Sequence, residues 1–304
     1  MKKLFSGHQK NEAVMQVEAV DVERDLLGEG PVWDARINAL YWADQLGKRV
    51  RRLNPATGEY SEWKVDTVLG CIVLTSEINV LLIALTDGLY TLDLRNSHFS
   101  RIVHLPQPRT GVRLNDGRAD RSGRLIFGSV TTDGGEPAGV VYRLLTNGTV
   151  ETLREGMAIV NAICCSPDGR RIYYTDSREG LIYVRDCDLK GNWIGEEQIF
   201  TDMKPHGGAP DGATVDAQGG VWIAQIMGGK VFRFSSDGVL DRVIEMPAPY
   251  VSSVAFGGEH LDVLYVTSVR ETGMLISTEH EEAGKLFAIT GLGVTGIAEP
   301  YLTL

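Results

Sequence analysis

The 304-residue chain carries 30 Lys and Arg against 40 Asp and Glu, a formal net charge of -10 that repels nucleic acid and anionic lipid, so neither is expected as a partner. With 43% hydrophobic residues it has ample material for a core and lacks the polar bias of a disordered chain. Its 35 glycines exceed the roughly 7% average and point to many tight turns between short elements.

The opening MKKLFSGHQK is basic, but no apolar run follows it, and nowhere do about 18 apolar residues stand in succession. Neither a secretion signal nor a membrane span is expected. Cys71, Cys164, Cys165 and Cys187 form no C-x-x-C spacing and read as reduced, mostly buried thiols, which places the protein in the cytoplasm.

Along the chain, short apolar or alternating runs separated by Gly, Asp, Asn and Pro recur, and no useful length keeps a helical period. Six units superimpose: GPVWDARINALYWAD (30–44), CIVLTSEINVLLIAL (71–85), DGRADRSGRLIFGSV (116–130), NAICCSPDGRRIYYTD (161–176), DGATVDAQGGVWIAQ (211–225) and SVAFGGEHLDVLYVT (253–267). Each reads as strand, turn, strand, and a third strand follows, as in GLYTLDL or KVFRFSSDG. Taking Asp34, Thr75, Asp120, Ser166, Asp216 and Phe256 as the ends of the first strands gives spacings of 40 to 50 residues by subtraction. That period predicts propeller blades, whose sheets bury both faces only by stacking around a central channel. The expectation is an all-β, six-bladed β-propeller forming one domain over 1–304, with a short N-terminal extension of about residues 1–14. A ring that protects its own strand edges is expected to be a monomer.

Five residues before each reference position stand Glu29, Gly70, Asn115, Asn161, Asp211 and Val251. In a pseudo-sixfold ring, Glu29, Asn115, Asn161 and Asp211 therefore converge on the axis. Two carboxylates buried together cost several kcal/mol or shift their pKa values unless a cation neutralises them. A divalent ion answers this, and an all-oxygen donor set favours Ca²⁺, Mg²⁺ or Mn²⁺ over Zn²⁺. Asp and Asn also serve as turn residues that bond neighbouring backbone N–H groups. Glu29 does not suit that role, and it lies between two glycines in LGEGPVW.

The segments LGEGPVWD, RLNDGRADRSGRLIFGS, VNAICCSPDGRRIYYTDS, PDGATVDAQGGVWIA and GKLFAITGLGVTGIA together resemble the SMP-30/gluconolactonase/luciferin-regenerating (regucalcin-like) family over residues of about 15 to 300. The resemblance implies a six-bladed propeller with one divalent ion on Glu29, Asn161 and Asp211. It also implies substrate contacts from Arg113 and Asn115 of the R-x-N-D-G segment. Regucalcin-like members carry acidic residues after a strand ending G-T-M; this chain reads GSVTTDGGEP, which leaves Asp133 as the counterpart.

These residues support hydrolysis of a small sugar lactone. A divalent ion, whether Ca, Mg, Mn or Zn, polarises the carbonyl and acidifies water. Asp211 is the expected general base on the attacking water, and Arg113 and Asn115 bring donors suited to sugar hydroxyls. The six histidines show no ligand spacing, and no G-x-S-x-G nucleophile elbow is present. Two alternatives stay open: a calcium-dependent phosphotriesterase or arylesterase on the same fold, and a metal-binding propeller without turnover.

Overall fold

A computed structural model describes residues 14–107 and 109–302. Most of the expected extension, and His8 within it, lies outside the described residues. Six four-stranded antiparallel sheets make six blades, with a single 3-10 turn, Lys204–His206, between the fourth and fifth. The protein is a six-bladed β-propeller. Among the described residues no helix is long and apolar enough to cross a membrane.

The innermost strands are Gly28–Asp34, Ile72–Leu74, Val112–Ala119, Val160–Cys165, Pro210–Val215 and Val251–Gly257. Each packs against the innermost strands of the blades before and after it, and the sixth meets the first, so the ring is closed. These strands are buried almost throughout because the channel covers one end of each sheet and two neighbours cover its faces.

Each blade has a fourth, outermost strand that the sequence pattern did not disclose. In the fourth blade it is Trp193–Asp202, WIGEEQIFTD, none of whose residues is buried. Such a strand pairs along one edge and faces water along the other, so it keeps no apolar alternation. The sixth blade takes its outermost strand from the other end of the chain: Gln16–Ala19 pairs antiparallel with Phe287–Thr290, from Gln16 opposite Thr290 to Ala19 opposite Phe287.

One apolar cluster fills each space between blades. Trp33, Leu40, Trp42, Leu53, Tyr265 and Leu286 join the sixth blade to the first, and Trp222, Val254, Phe256 and Phe287 help join the fifth to the sixth. All four cysteines are free and buried in such packing.

Beyond the last blade, residues 291–302 run across the end of the channel where the innermost strands finish. Thr295 accepts from the Ala217 amide at 2.8 Å and the Gly296 amide donates to Leu261 at 2.7 Å. Arg121 Nη1 donates to the Ala298 carbonyl at 2.8 Å, Glu299 pairs with Arg118, and the Leu302 amide donates to Leu74 at 2.9 Å. This strap closes one end of the channel and leaves a single mouth.

Candidate active site

The residues predicted to converge do so at the open end. Their placement depends on an interruption shared by the innermost strands. Pairing with the second strand slips between Glu29 and Val32, Leu114 and Gly117, Asn161 and Cys164, Pro210 and Ala213, and Val251 and Ser253. A β-bulge frees one residue from the ladder and re-aims its side chain. Here it turns Glu29, Asn115, Asn161 and Asp211 toward the axis. The turn is sharpest after Glu29 and after Asn161, where Gly30 at φ 51° and Ala162 at φ 55° adopt the left-handed region. At the second blade's equivalent, Gly70, a Cβ would sit 2.9 Å from the Asn115 carbonyl oxygen; glycine lets this blade approach the third.

The floor is a continuous network. Arg113 Nη1 donates to Asn115 Oδ1 at 3.1 Å, Asn115 Nδ2 donates to Asn161 Oδ1 at 2.8 Å, and Asn161 Nδ2 donates to Ser177 Oγ at 2.9 Å. These bonds fix which way both amides face: the oxygen of Asn161 turns inward, with a lone pair to spare. Among the described residues Glu29 accepts only from the adjacent Gly30 amide, at 3.2 Å.

Burial pushes the Glu29 carboxyl up to about 8, with the Asp116 charge adding to it and the Gly30 amide and Arg113 opposing. Burial, then Glu29, then Asp116 hold Asp211 well above the usual carboxylate range, and among the described residues no cation or donor offsets them. Burial lowers Arg113 to about 10, against the pull of Glu29. The physical cause is the same in each case: charges share a dry enclosure with too few opposite partners.

Asp116 is a member of this group that sequence reasoning missed. It follows Asn115 in the same bulge, accepts from the Ile163 amide at 3.0 Å and the Gly117 amide at 2.8 Å, and is pushed up by burial. Its signal was present in the RLNDG segment, where a carboxylate stands beside the expected axial residue.

Above the floor is a cavity of about 210 Å³, lined by Glu29, Arg113, Asn115, Asn161 and Asp211 below. Its upper wall is of a different kind, with Ile226, Met227, Met274, Leu275 and Ile276 among its members. Asp133 is not among the lining residues. It is exposed and engaged by Arg109, whose Nη2 lies 3.2 Å from Oδ1, and that pairing holds its carboxyl below the ordinary value. The structure thus gathers five of the six predicted site residues and sets Asp133 apart.

Whether the floor suits a metal ion can be judged from its donors. Among the described residues no three His, Cys, Asp or Glu side chains form a metal-holding group, so a metal here depends on an amide as its third protein ligand. Asn161 supplies that oxygen beside two carboxylates, of which Glu29 is opposed by Arg113 and Asp211, among the described residues, by no counter-charge. The donor set fits a hard divalent cation.

A family model described as SMP-30/gluconolactonase/LRE-like region matches residues 27–270. The chain belongs to this family. It is similar to an L-arabinolactonase of Azospirillum brasilense, 39% identical over 252 residues that cover 81% of this chain and 82% of the relative. It is also similar to a 6-deoxy-6-sulfogluconolactonase of Pseudomonas putida, 34% identical with 90% and 94% covered. Among solved structures it resembles a calcium-binding protein, regucalcin, of Agrobacterium tumefaciens, with a TM-score of 0.87, 30% identity, and 93% of this chain and 95% of that one covered. As a family member whose relatives at this identity are lactonases, it is an enzyme, a hydrolase of carboxylic esters.

Proposed function

We propose that this enzyme opens a sugar lactone to the corresponding sugar acid, using one divalent cation held by Glu29, Asn161 and Asp211. The observation that carries the reading is the buried pair of carboxylates: Glu29 raises the proton affinity of Asp211, and among the described residues nothing neutralises Asp211. Around the floor, among the described residues, Glu29, Asp116 and Asp211 stand against Arg113, an excess of carboxylates that a divalent cation would offset.

When bound, such an ion stabilises negative charge on a carbonyl oxygen and acidifies water. The chain's own residues do the rest. Arg113 and Asn115 hold the ring hydroxyls and fix the lactone above the floor, converting a bimolecular attack into one between positioned groups. Asp211 accepts a proton from the water as its oxygen bonds to the carbonyl carbon. That proton then goes to the ring oxygen as the ester C–O bond breaks, giving a free hydroxyl and a carboxylic acid.

The test is proton release from a panel of sugar lactones by chelator-treated protein, with Ca²⁺, Mg²⁺, Mn²⁺ or Zn²⁺ returned singly. Metal-restored hydrolysis well above spontaneous opening is expected; equal rates with and without metal would remove the cation from the proposal. The apolar upper wall favours a second reading, hydrolysis of an aryl ester or phosphotriester. The same assay decides it, since that reading requires those compounds to be turned over and the lactones to be left intact.

A further inference from the structure

The cavity has two chemically distinct storeys. The carboxylates and Arg113 lie at the floor, whereas the walls toward the mouth, Arg178 apart, are built by two turns remote in sequence: Ile226 and Met227 after the second strand of the fifth blade, and Thr272–Ile276 in the excursion between the second and third strands of the sixth. A lactone seated with its carbonyl over Glu29 and Asp211 projects its exocyclic tail upward, against this wall.

The apolar wall is held in place by its own small core. Ile276 packs with Leu27 and Val269, with Ile226 and Tyr250 against them. Thr272 Oγ1 accepts from the amides of Met274, Leu275 and Ile276 at 3.3, 3.1 and 3.0 Å, and Glu271 bridges to Ser277 across the base of the loop. Leu275 is 86% exposed and Met227 is 52% exposed, yet both line the cavity. A braced loop thus presents Leu275 at the rim, and the turn after the fifth blade's second strand presents Met227 beside it.

A hydroxyl pressed against such a wall loses water and gains no partner from it, whereas a methyl in the same place buries apolar surface. We propose that this enzyme selects lactones whose exocyclic tail ends in an apolar group, that is, deoxy-sugar lactones in preference to their fully hydroxylated counterparts. Met227, Leu275 and Ile276 are the specificity-determining residues. The proposal rests on the lactonase reading and narrows it to a substrate class.

The polar members of the upper storey do not reverse this. Thr272 Oγ1 is committed to three backbone amides. Arg178 lines the cavity too, and it makes an acidic tail the competing class.

The test compares kcat/KM for pairs of lactones that share ring stereochemistry and differ only in a terminal CH₃ or CH₂OH, with a third lactone bearing a terminal carboxylate, in several stereochemical series. The deoxy member is expected to be preferred about 10- to 100-fold in the best series. In a Met227→Gln, Leu275→Gln double variant, both changes being at exposed positions, the ratio is expected to fall to within about threefold. Equal turnover of the pair, a preference that survives the double substitution, or fastest turnover of the acidic lactone would each overturn the tail assignment while leaving lactone hydrolysis standing. If no lactone is hydrolysed but an aryl ester is, both readings fall together.

Discussion

The innermost strands carry two rings of oxygen-bearing residues, five positions apart, and the rings behave in opposite ways. At the strapped end, Asp34, Asp120 and Asp216 are buried and fully engaged. Asp216 accepts from the Gln218 and Gly220 amides, both at 2.9 Å, from Trp222 Nε1 at 2.8 Å and from Arg233 Nε at 2.7 Å. Asp120 similarly takes the Ser122 amide at 2.8 Å and Arg124 Nε at 3.0 Å. At the open end, Asp211 is just as buried and has no such partners. The same residue type on the same strand closes a turn at one end and waits for a ligand at the other. What separates them is the β-bulge, which takes Asp211 out of reach of its own blade's donors.

The comparison can be broken from either side, beginning with the largest effect. Asp211→Asn and Glu29→Gln remove charge with little change in volume, and each is expected to lower lactone turnover at least about 1,000-fold. Thermal unfolding of the metal-free variants should be equal to or above that of the parent, because an unfavourable buried charge has gone. Asp216→Asn should do the reverse, costing about 2 kcal/mol of stability by weakening its bond to Arg233 with kcat/KM of the folded enzyme unchanged. Retained activity in either open-end variant would remove that residue from the site.

The second way to sharpen the contrast is pH. Glu29 has its folded-state value raised to about 8 from 4.5, so between those values the folded metal-free protein holds a proton that the unfolded chain has released. Stability therefore falls as pH rises through this window. Metal-free protein should melt several degrees lower at pH 8 than at pH 5, at constant salt. Saturating divalent ion should reverse that trend near neutral pH, because its binding displaces the proton and tightens as pH rises. A flat profile in metal-free protein would mean that these carboxylates are neutralised some other way.

Smaller effects follow for the substrate contacts. Arg113→Ala is expected to raise KM about 10- to 100-fold with metal affinity changed less, which isothermal titration and steady-state kinetics together would show; a matched loss in both would make Arg113 a support of the ion. Asp133→Asn should change kcat/KM by less than about threefold, since Arg109 already occupies that carboxylate outside the cavity. A larger loss would bring Asp133 and its loop over the substrate.

Sequence pattern revealed the blades because the innermost and second strands are buried on both faces and are punctuated by Asp, Asn and Gly. The outermost strands escaped notice because half-solvated segments such as WIGEEQIFTD retain no periodicity. Fixed spacing located Glu29, Asn115, Asn161 and Asp211 because each lies at or within the register slip of its repeat. It could not find Asp116, which shares a bulge with Asn115, nor the wall formed by Met227 and Leu275, the first in a turn whose side chains the repeat does not fix and the second in a long excursion of the sixth blade. Asp133 came from the resemblance, as the nearest counterpart in GSVTTDGGEP of the acidic residues of regucalcin-like members, and the structure places it on an exposed loop paired with Arg109.

The strand Gln16–Ala19 has a consequence for how the molecule is made. Its partner, Phe287–Thr290, lies more than 260 residues further on, so the sixth sheet stays two strands short until that segment has left the ribosome. Pairings this remote form slowly, and an unfilled sheet edge invites association in the interval. Earlier blades can stack as they emerge, and the innermost strands of the sixth and first blades can meet, but the sixth sheet is complete only once Phe287–Thr290 is in place. A chain cut short of Phe287 would keep that contact and lose the two outer strands of its sixth blade.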